Sequence, residues 1–287
     1  LNEAARIRPC LDGLMRQGHE VREILVVDSR STDGTQDIVR SYQGRDARVR
    51  LLTDDPLPAG WVGRPWALDY GFRHSSPDSA WFLGVDADTQ PQPGLVSALL
   101  ASMEQDGYGL VSLAPKFILK SPGEFWLQPA LLMTLVYRFG PAGSTATGPQ
   151  RSMANGQCFM VNRLWLERID GYRTARASFC DDVTLARNLA AAGAKVGFWD
   201  GSQVLLVRMY EGVKETWQEW GRSLDLKDAS SVAQLWGDVA FLSLVQALPW
   251  GLVPSLWWLQ QMSPSGWSLV LHILLGVNIG FLMIRLG

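Results

Sequence analysis

The fold is decided by residues 23–35, which read EILVVDSRSTDGT. The apolar run ends at Asp28, and a polar turn then leads into an amphipathic stretch at 34–43. A short apolar run bounded by polar residues predicts a buried strand, and the amphipathic stretch after it predicts a helix. Asp33, with Gln36 three residues later, has the pattern of a helix cap. The stretch is therefore predicted to form a strand, a turn and a helix.

The same alternation extends through most of the chain. Apolar runs predict strands at 23–28, 49–53, 80–86, 109–115, 157–162, 195–199 and 203–208. Helical patterns occupy 3–17, 34–43, 65–75, 94–105, 181–192 and 211–227. This order predicts an α/β fold, Rossmann-like, with a mostly parallel sheet and helices on both faces. Ligands of such sheets bind beyond the carboxyl ends of the strands, where the candidate site residues are sought.

Two carboxylates follow the third predicted strand. Asp86 and Asp88 are two positions apart, so both side chains can point to one face beyond the strand. Hard divalent ions such as Mg²⁺ or Mn²⁺ favour a few carboxylates combined with phosphate oxygens. The pair predicts a metal site for a nucleotide diphosphate, although a solvated turn can carry the same pattern.

A second acidic pair, Asp181 and Asp182, follows Cys180 at the start of a predicted helix. The helix dipole favours acids there, which is a structural explanation. The functional alternative is that one carboxylate acts as general base on an incoming hydroxyl. Cys180 is interpreted as a packing residue.

The charge balance excludes several classes of protein. The chain has 26 basic and 28 acidic residues, a formal net charge of −2 and a pI of about 6.0, so no global basic field is present to bind nucleic acid. Cys10, Cys158 and Cys180 have no CxxC spacing, and only three histidines accompany them. A disulfide framework and a structural zinc site are therefore not expected.

The C-terminal part is strongly apolar. No Asp, Glu, Lys or Arg occurs from Val239 to Ile284, which allows a hairpin of two membrane spans at 239–259 and 267–284. Arg285 and the basic residues before the hairpin place both outer ends on the cytoplasmic side by the positive-inside rule. A buried or re-entrant helix pair is the alternative. The predicted domains are an α/β domain at 1–230 and a membrane-associated helical hairpin at 231–287.

Two further features are an apolar stretch at 125–138 and the start of the chain. The stretch at 125–138 is too short to span a bilayer and predicts either a core helix or one in the lipid interface. The chain opens on Asn2-Glu3 with no apolar run before it, so a strand or anchor is expected to precede Leu1.

Five motifs together resemble the family-two inverting glycosyltransferases, which have the GT-A fold. The resemblance covers nearly all of residues 1–225. Asn2-Glu3 is similar to the end of the family's first-strand motif, and VVDSRSTDGT to its nucleotide-binding motif. GWVGRPWALDYG at 60–71 is similar to GWxGKxxAxxxG, DAD to the metal motif and CDD to the acid pair. Ser29 and Arg64 stand where the family commonly has Asp and Lys.

The resemblance implies a role for each matched residue. Glu3 and Asp28 would hold the nucleoside, Asp86 the ribose or diphosphate, Asp88 the metal ion, and Asp182 would be the base. Arg64 and Arg222 would contribute positive charge to donor binding, Arg222 from a loose match to the family's QxxRW element. The remaining candidates, in the predicted acceptor pocket, are Gly156, Gln157 and Trp220.

The resemblance also implies a metal-dependent, nucleotide-sugar-dependent, inverting transferase on the cytoplasmic side of a membrane. The segment RMYEGVKETWQEWGRS at 208–223 and the apolar C-terminus are most similar to bacterial carotenoid and hopanoid-associated glycosyltransferases. A lipophilic acceptor, such as a carotenoid hydroxyl, is thus expected beside the bilayer. The alternatives are transfer to a hopanoid, a ceramide or a polyprenyl phosphate, nucleotidyl transfer at the same metal site, and a catalytically silent scaffold.

Overall fold

The computed structural model describes residues 1–143, 148, 149, 152–220, 231–242, 248–262, 272 and 276. Strands and helices alternate along most of this length. They are α1 (Ile7–Met15), β1 (Ile24–Asp28), α2 (Thr35–Gln43), β2 (Val49–Thr53), α3 (Gly63–His74), β3 (Trp81–Val85), β4 (Thr89–Pro91), α4 (Leu95–Asp106), β5 (Leu110–Ala114), β6 (Lys116–Phe117), α5 (Pro122–Phe139), β7 (Cys158–Asn162), α6 (Arg163–Arg168), α7 (Asp181–Ala191), β8 (Val196–Asp200), β9 (Leu205–Val207), α8 (Gly212–Glu215), α9 (Val232–Leu242) and α10 (Leu248–Met262).

The strands form mixed sheets. β1 and β2 pair in parallel, and a four-stranded sheet has the order β3-β7-β5-β8. Within that sheet β7 runs antiparallel to β3 and β5, whereas β5 and β8 are parallel. The prediction of a mostly parallel sheet was therefore wrong. An apolar run carries no direction, and β7 enters between β3 and β5 from the long connection that contains α5.

A third, small sheet lies next to the Asp86-Ala87-Asp88 motif. Its strand order is β4-β9-β6, with β4 antiparallel to β9 and β6 parallel to it. β4 begins at Thr89, immediately after Asp88, so the motif is a short connection between β3 and β4. The sequence did not predict β4 or β6, because strands of three and two residues are too short to show an alternating pattern.

Apolar clusters fix the helices against these strands. Ile7 and Leu11 of α1 pack with Val39 of α2 and Val49 of β2 in one buried cluster. α1 also lies directly against β4, where a Cβ placed on Gly13 would be 2.3 Å from a backbone oxygen of β4. Burial of each such aliphatic side chain contributes about 1.5–3 kcal/mol. Packing of α1 therefore supports the strand that follows the acidic motif.

Residues 125–135 and 230–287 belong to a second compact unit, separate from 1–124 and 136–229. In the part of this unit that the structure describes, α9 and α10 have 11 and 15 residues, fewer than the roughly 20 that a bilayer requires. None of the described helices has the length and apolar character to cross a membrane. The predicted transmembrane hairpin is thus not supported, and nearly all of 267–284 lies outside the described residues.

Large apolar side chains of this second unit are exposed. The stretch predicted at 125–138 forms most of α5, where Phe125, Trp126 and Met133 are each more than half exposed. On α9 the exposed large apolar residues recur at helical spacing and share one face. They are Val232, Trp236 and Val239.

Candidate active site

The loop after β1 is organised by Asp28, which is buried. Its carboxylate accepts hydrogen bonds from the backbone N–H and the hydroxyl of Ser31, and from the Gln36 amide at 2.7 Å. Burial raises the pKa of Asp28, but these hydrogen bonds outweigh it and hold the pKa below its ordinary value. Asp28 is therefore an ionised group that fixes the loop, and its contact with a nucleoside stays a prediction.

The same loop positions the first residues of the chain. The backbone N–H of Asn2 donates to the Ser31 hydroxyl at 2.7 Å, and that of Glu3 donates to the Thr35 hydroxyl at 2.9 Å. Glu3 is thereby held beside the Asp86 motif. Burial raises the pKa of Glu3, with the negative charge of Asp86 adding to the shift.

Asp88 is a partly buried carboxylate whose Oδ1 is buried and unused. Among the residues that the structure describes, its Oδ1 has no hydrogen-bond partner. Burial, followed by the negative charges of Asp86 and Glu3, raises the pKa of Asp88 to about 7. A buried anion among like charges is costly unless a cation compensates it. The surroundings of the Asp88 carboxylate therefore favour binding of a cation.

The acidic motif fits a divalent ion that is shared with a ligand. No group of three or more His, Cys, Asp or Glu side chains arranged to hold a metal occurs within the described ranges. Mg²⁺ commonly takes only one or two carboxylates and completes its shell with water and phosphate oxygens. Asp88, with Asp86 beside it, fits that mode of binding when a diphosphate is present.

Arg64 joins three separate motifs. Its guanidinium, near the start of α3, lies 3.0 Å from the carboxylate of Asp86 and also contacts the carboxylate of Asp181. It donates a further hydrogen bond to the carbonyl oxygen of Gly156. The metal motif, the acid pair and the predicted acceptor loop therefore meet at one side chain.

The two acids at the start of α7 differ in environment. Asp181 is buried and paired with Arg64, whereas Asp182 is partly exposed. The Asp182 carboxylate accepts hydrogen bonds from the backbone N–H groups of Gly156 at 2.7 Å and Val183 at 2.8 Å. Burial and the neighbouring charge of Asp181 raise the pKa of Asp182 to about 6, although Arg64 opposes the shift. Asp182 is the member of the pair suited to accept a proton.

Gly156 and Gln157 hold the protein's own groups together. A Cβ on Gly156 would lie 2.4 Å from the Arg64 guanidinium, so the small residue gives room to Arg64. Gln157 is buried, its side chain bonds Asn155 and Met209, and its carbonyl oxygen accepts from the Asp86 N–H at 3.0 Å. Their contact with an acceptor stays a prediction.

One ion pair near the motif was missed by the sequence analysis. Arg6 of the segment before α1 contacts Glu215 of α8 at 2.7 Å. The positive charge of Arg6 also opposes the rise in the pKa of Asp88, after the larger effects of burial and neighbouring acids. The only available signal was a basic residue three positions after Glu3, which is too common to single out.

The contacts described above involve neither Trp220 nor Arg222. Trp220 ends the π-helical turn Thr216–Trp220, whose neighbouring side chain Trp217 is 68% exposed. Nothing is described for the Trp220 side chain, and Arg222 lies outside the described residues. Their assigned roles stay predictions.

Comparison with known proteins identifies relatives that match most of the chain. The sequence profile of Glycosyl transferase family 2 matches residues 1–170. A 4,4'-diaponeurosporenoate glycosyltransferase of Staphylococcus haemolyticus (strain JCSC1435) is 24% identical over 231 residues, covering 80% of this chain and 60% of that protein. A probable glycosyltransferase of Bacillus subtilis (strain 168) is 22% identical over 223 residues, covering 77% of this chain and 51% of that protein. The chain thus spans less than two thirds of either relative.

Solved structures share the fold at low identity. A mannosyltransferase from Pyrobaculum calidifontis in complex with GDP-Man and Mn²⁺ has a TM-score of 0.55 and 23% identity, covering 98% of this chain and 78% of that one. S. aureus TarS 1-349 in complex with UDP-GlcNAc has a TM-score of 0.53 and 14% identity, covering 85% of this chain and 63% of that one. These likenesses show the GT-A-like fold alone. Because the family profile covers more than half of its length, the chain belongs to glycosyl transferase family 2.

Proposed function

We propose that this protein transfers a sugar from a nucleoside diphosphate sugar to a hydroxyl of a lipophilic acceptor at a membrane, with inversion at the anomeric carbon. The observation that carries the proposal is the position of Arg64, which contacts Asp86, Asp181 and Gly156 at once. The motif that we assign to the donor and the acid pair that contains Asp182 therefore both adjoin one guanidinium, and Asp182 itself accepts from the Gly156 N–H. Membership of the family supports the class of reaction.

Asp182 is assigned as the general base. Its raised pKa makes it a better proton acceptor than an ordinary carboxylate while leaving it mostly ionised at neutral pH. The acceptor oxygen attacks the anomeric carbon as its proton passes to the Asp182 carboxylate. The bond between the anomeric carbon and the diphosphate oxygen breaks, and its electron pair leaves with the nucleoside diphosphate. One displacement from the opposite face gives inversion.

The donor is assigned to the edge formed by Glu3, Asp28, Asp86 and Asp88. A divalent ion, Mg²⁺ or Mn²⁺, bound at Asp88 would supply positive charge to the departing diphosphate. Arg64 is already paired with two carboxylates, so its role is to hold the motifs in register. We assign the remaining cationic contact with the diphosphate to Arg222, which follows the Trp-rich turn.

A carotenoid is the acceptor that we favour. The relative from Staphylococcus haemolyticus is named for 4,4'-diaponeurosporenoate, and the ending of that name denotes a carboxylate. An acceptor carboxylate is already ionised and has no proton for Asp182 to remove, whereas a hydroxyl requires a base. The raised pKa of Asp182 supports a hydroxyl acceptor for this chain. Gly156, Gln157 and Trp220 remain its proposed contacts.

Membrane association is supported by the exposed side chains of the second unit. α9 presents Val232, Trp236 and Val239 on one face, and α10 exposes Trp257 and Trp258. Apolar and Trp-rich helical faces bind the interface between lipid headgroups and acyl chains. We propose that this unit binds the cytoplasmic face of the bilayer, where a lipid acceptor is available without extraction into water.

The experiment is transfer of label from a panel of radiolabelled UDP-, GDP- and dTDP-sugars into the organic phase of membranes that contain the full chain. Paired acceptors, a hydroxylated carotenoid and a carotenoid carboxylic acid, are added separately. Transfer to the hydroxyl with release of a nucleoside diphosphate supports the proposal. Release of the labelled sugar phosphate, with the nucleotidyl group joined to the acceptor, would instead identify a nucleotidyltransferase, and absence of transfer with every donor and acceptor would contradict the proposal.

A matched control variant leaves the proposed active site unchanged. Asp200→Asn alters an exposed carboxylate at the end of β8 that accepts a hydrogen bond from the Ser202 N–H of its own turn. This variant is expected to transfer label as the wild type does, whereas Asp182→Asn is expected to lose transfer to the hydroxyl acceptor. Equal activity of the two variants would remove Asp182 as the base.

A further inference from the structure

We infer that Glu124 and Arg208 form a positioning pair that fixes the backbone of the metal motif at Asp88. This inference rests on the proposed function, because it concerns the same metal site. Glu124 lies in the first turn of α5 and is 1% exposed. Neither residue is part of the five motifs that supply the candidate site residues, although Arg208 is the first residue of the segment at 208–223.

The Glu124 carboxylate is saturated with donors. It accepts hydrogen bonds from the backbone N–H groups of Lys120 at 2.6 Å, Ser121 at 3.3 Å and Gly212 at 2.7 Å. Arg208 adds a two-pronged contact, with Nη1 at 2.7 Å and Nη2 at 3.1 Å. These donors hold the pKa of Glu124 far below its ordinary value, the Arg208 contact being the largest cause.

Helix capping alone does not account for this arrangement. A capping glutamate needs one hydrogen bond, to the backbone N–H at the start of its helix, and is commonly solvated. Here the carboxylate is removed from water and reaches two other segments, at Arg208 and at Gly212. Burying an ion pair brings a desolvation cost, so its retention favours a role in fixing geometry.

The backbone of Arg208 connects the ion pair with Glu124 to the metal motif. It follows β9, whose residue Val207 pairs with Thr89 of β4. One step further along the ladder, the Arg208 N–H donates to the carbonyl oxygen of Asp88 at 3.2 Å. The Arg208 guanidinium also donates to the carbonyl oxygen of Ile118 at 2.8 Å. The backbone that faces Asp88 is therefore anchored at both Glu124 and Ile118.

The position of Asp88 depends on that anchor. On its other side, the turn is closed by a hydrogen bond from the Thr89 N–H to the Asp86 carbonyl oxygen at 3.2 Å. The Asp88 Oδ1 has no hydrogen-bond partner within the described ranges, so no hydrogen bond from a side chain holds this oxygen. The backbone contacts on both sides of Asp88 therefore fix the point from which its carboxylate extends. In metalloproteins, loss of a group that orients a ligating side chain commonly lowers metal affinity by roughly 10- to 100-fold.

The experiment measures Mn²⁺ binding by the purified full chain with UDP and, separately, with GDP, from the electron paramagnetic resonance signal of the free hexaaqua ion, and the same nucleotide without protein is the blank. The variants are Arg208→Gln, Arg208→Lys, Glu124→Gln and the double variant Glu124→Gln with Arg208→Gln. Each single replacement by Gln is expected to weaken Mn²⁺ binding about tenfold or more, with Arg208→Lys intermediate. The double variant is expected to match the singles, because both residues act through one contact.

Arg48→Gln is the matched control. Arg48 pairs with Asp46 and donates to the backbone carbonyl oxygens of Met15, Gln17 and Gly18, at the edge of β2 away from the metal motif. The unfolding temperature of Arg48→Gln in EDTA is expected to fall as that of Arg208→Gln does. The Mn²⁺ affinity of Arg48→Gln is expected to equal that of the wild type. Loss of affinity in this control would show a general effect of stability and overturn the inference.

The other outcomes separate the inference from the proposed function. If the wild type binds Mn²⁺ and every folded variant at Glu124 and Arg208 binds it within twofold, the pair is only a helix cap and the inference fails alone. If the wild type binds no Mn²⁺, the metal part of the proposed function fails and the inference fails with it. Should Arg208→Gln not fold, Arg208→Lys and Glu124→Gln decide the question.

Discussion

Arg64 donates a hydrogen bond to the carboxylate of Asp86 across 3.0 Å. The same guanidinium contacts Asp181, so one residue near the start of α3 determines how the metal motif and the acid pair lie relative to each other. The three groups carry two negative charges and one positive charge. Removing the positive charge leaves two carboxylates close together without compensation.

Arg64→Met is therefore expected to lower kcat/KM by about 100-fold or more and to reduce stability. The stability loss should be smaller than the roughly 3–5 kcal/mol measured when a fully buried pair is broken, because the Arg64 side chain is 33% exposed. Arg64→Lys keeps the charge but has no planar fork to reach three acceptors, so an intermediate loss is expected. Initial rates and thermal unfolding of the same preparations measure both effects.

Arg73→Lys is the control on the same helix. Arg73 pairs with Asp69 but its side chain is 48% exposed, so the change is expected to cost less than about 1 kcal/mol and to leave kcat/KM unchanged. If Arg64→Lys behaved like this control, the joining role assigned to Arg64 would be wrong.

The two acids at the start of α7 should respond differently to replacement by the amide. Asp182→Asn removes the proton acceptor and is expected to lower kcat by about 10²- to 10⁴-fold with little change in donor affinity. Asp181→Asn removes the buried partner of Arg64 and is expected to weaken donor binding and to lower the unfolding temperature. Steady-state kinetics with donor titration by calorimetry distinguishes the two patterns. Identical kinetics for both variants would contradict the assignment of Asp182.

The pH dependence of kcat/KM should report the raised pKa of Asp182. Protonation removes its ability to accept a proton, so activity is expected to rise with pH through about 6 and to level off above it. Asp181→Asn removes a neighbouring negative charge and should move this limb to lower pH. A pH–rate profile from 4.5 to 8 checks both, and a wild-type rate that changes little over this range, as the ordinary pKa of about 4 for Asp requires, would contradict the prediction.

The same shift has a consequence for stability. Because the pKa of Asp182 is higher in the folded than in the unfolded chain, its contribution is favourable below about pH 4 and is lost as pH rises through about 6. Asp182→Asn is therefore expected to unfold at a higher temperature than the wild type at pH 8, but not at pH 4. Thermal unfolding in EDTA at the two pH values measures the difference.

Local pattern was sufficient to predict the strands with clear apolar runs. β1 at Ile24–Asp28 and β2 at Val49–Thr53 form within the predicted stretches, since each run is bounded by polar residues that cannot extend a buried strand. The direction of β7 was not predictable in this way. It depends on how a connection of about 40 residues crosses the sheet, which no local pattern records.

The site shows the same division between local and distant information. Asp86, Asp88 and Asp182 could be selected as candidates because each lies at the end of a strand or the start of a helix. The contact of Arg64 with Asp181 joins residues 117 positions apart and has no local signal. Gln36 was predicted as part of a helix cap, but its amide bonds Asp28, because the helix starts after Gly34 in a left-handed conformation.

Gly156→Ala provides a test of the close approach between the acceptor loop and Arg64. The added Cβ would lie 2.4 Å from Nη2 of Arg64, a guanidinium held by two carboxylates and the Gly156 carbonyl oxygen. We expect the variant to displace Arg64 and to lower kcat/KM about tenfold or more, since small displacements in a site are costly. Gly44→Ala, at the end of α2, meets only a backbone oxygen at 3.7 Å and serves as the control.

Combining Gly156→Ala with Arg64→Lys makes the prediction specific to this contact. A lysine has no Nη2, so the added methyl group has nothing to displace, and the double variant is expected to be no less active than Arg64→Lys alone. Independent effects would instead multiply, giving a double variant at least tenfold less active than Arg64→Lys. Initial rates of the two single variants and the double variant decide between these results, and a multiplicative loss would show that Gly156 is required for a reason other than room for Arg64.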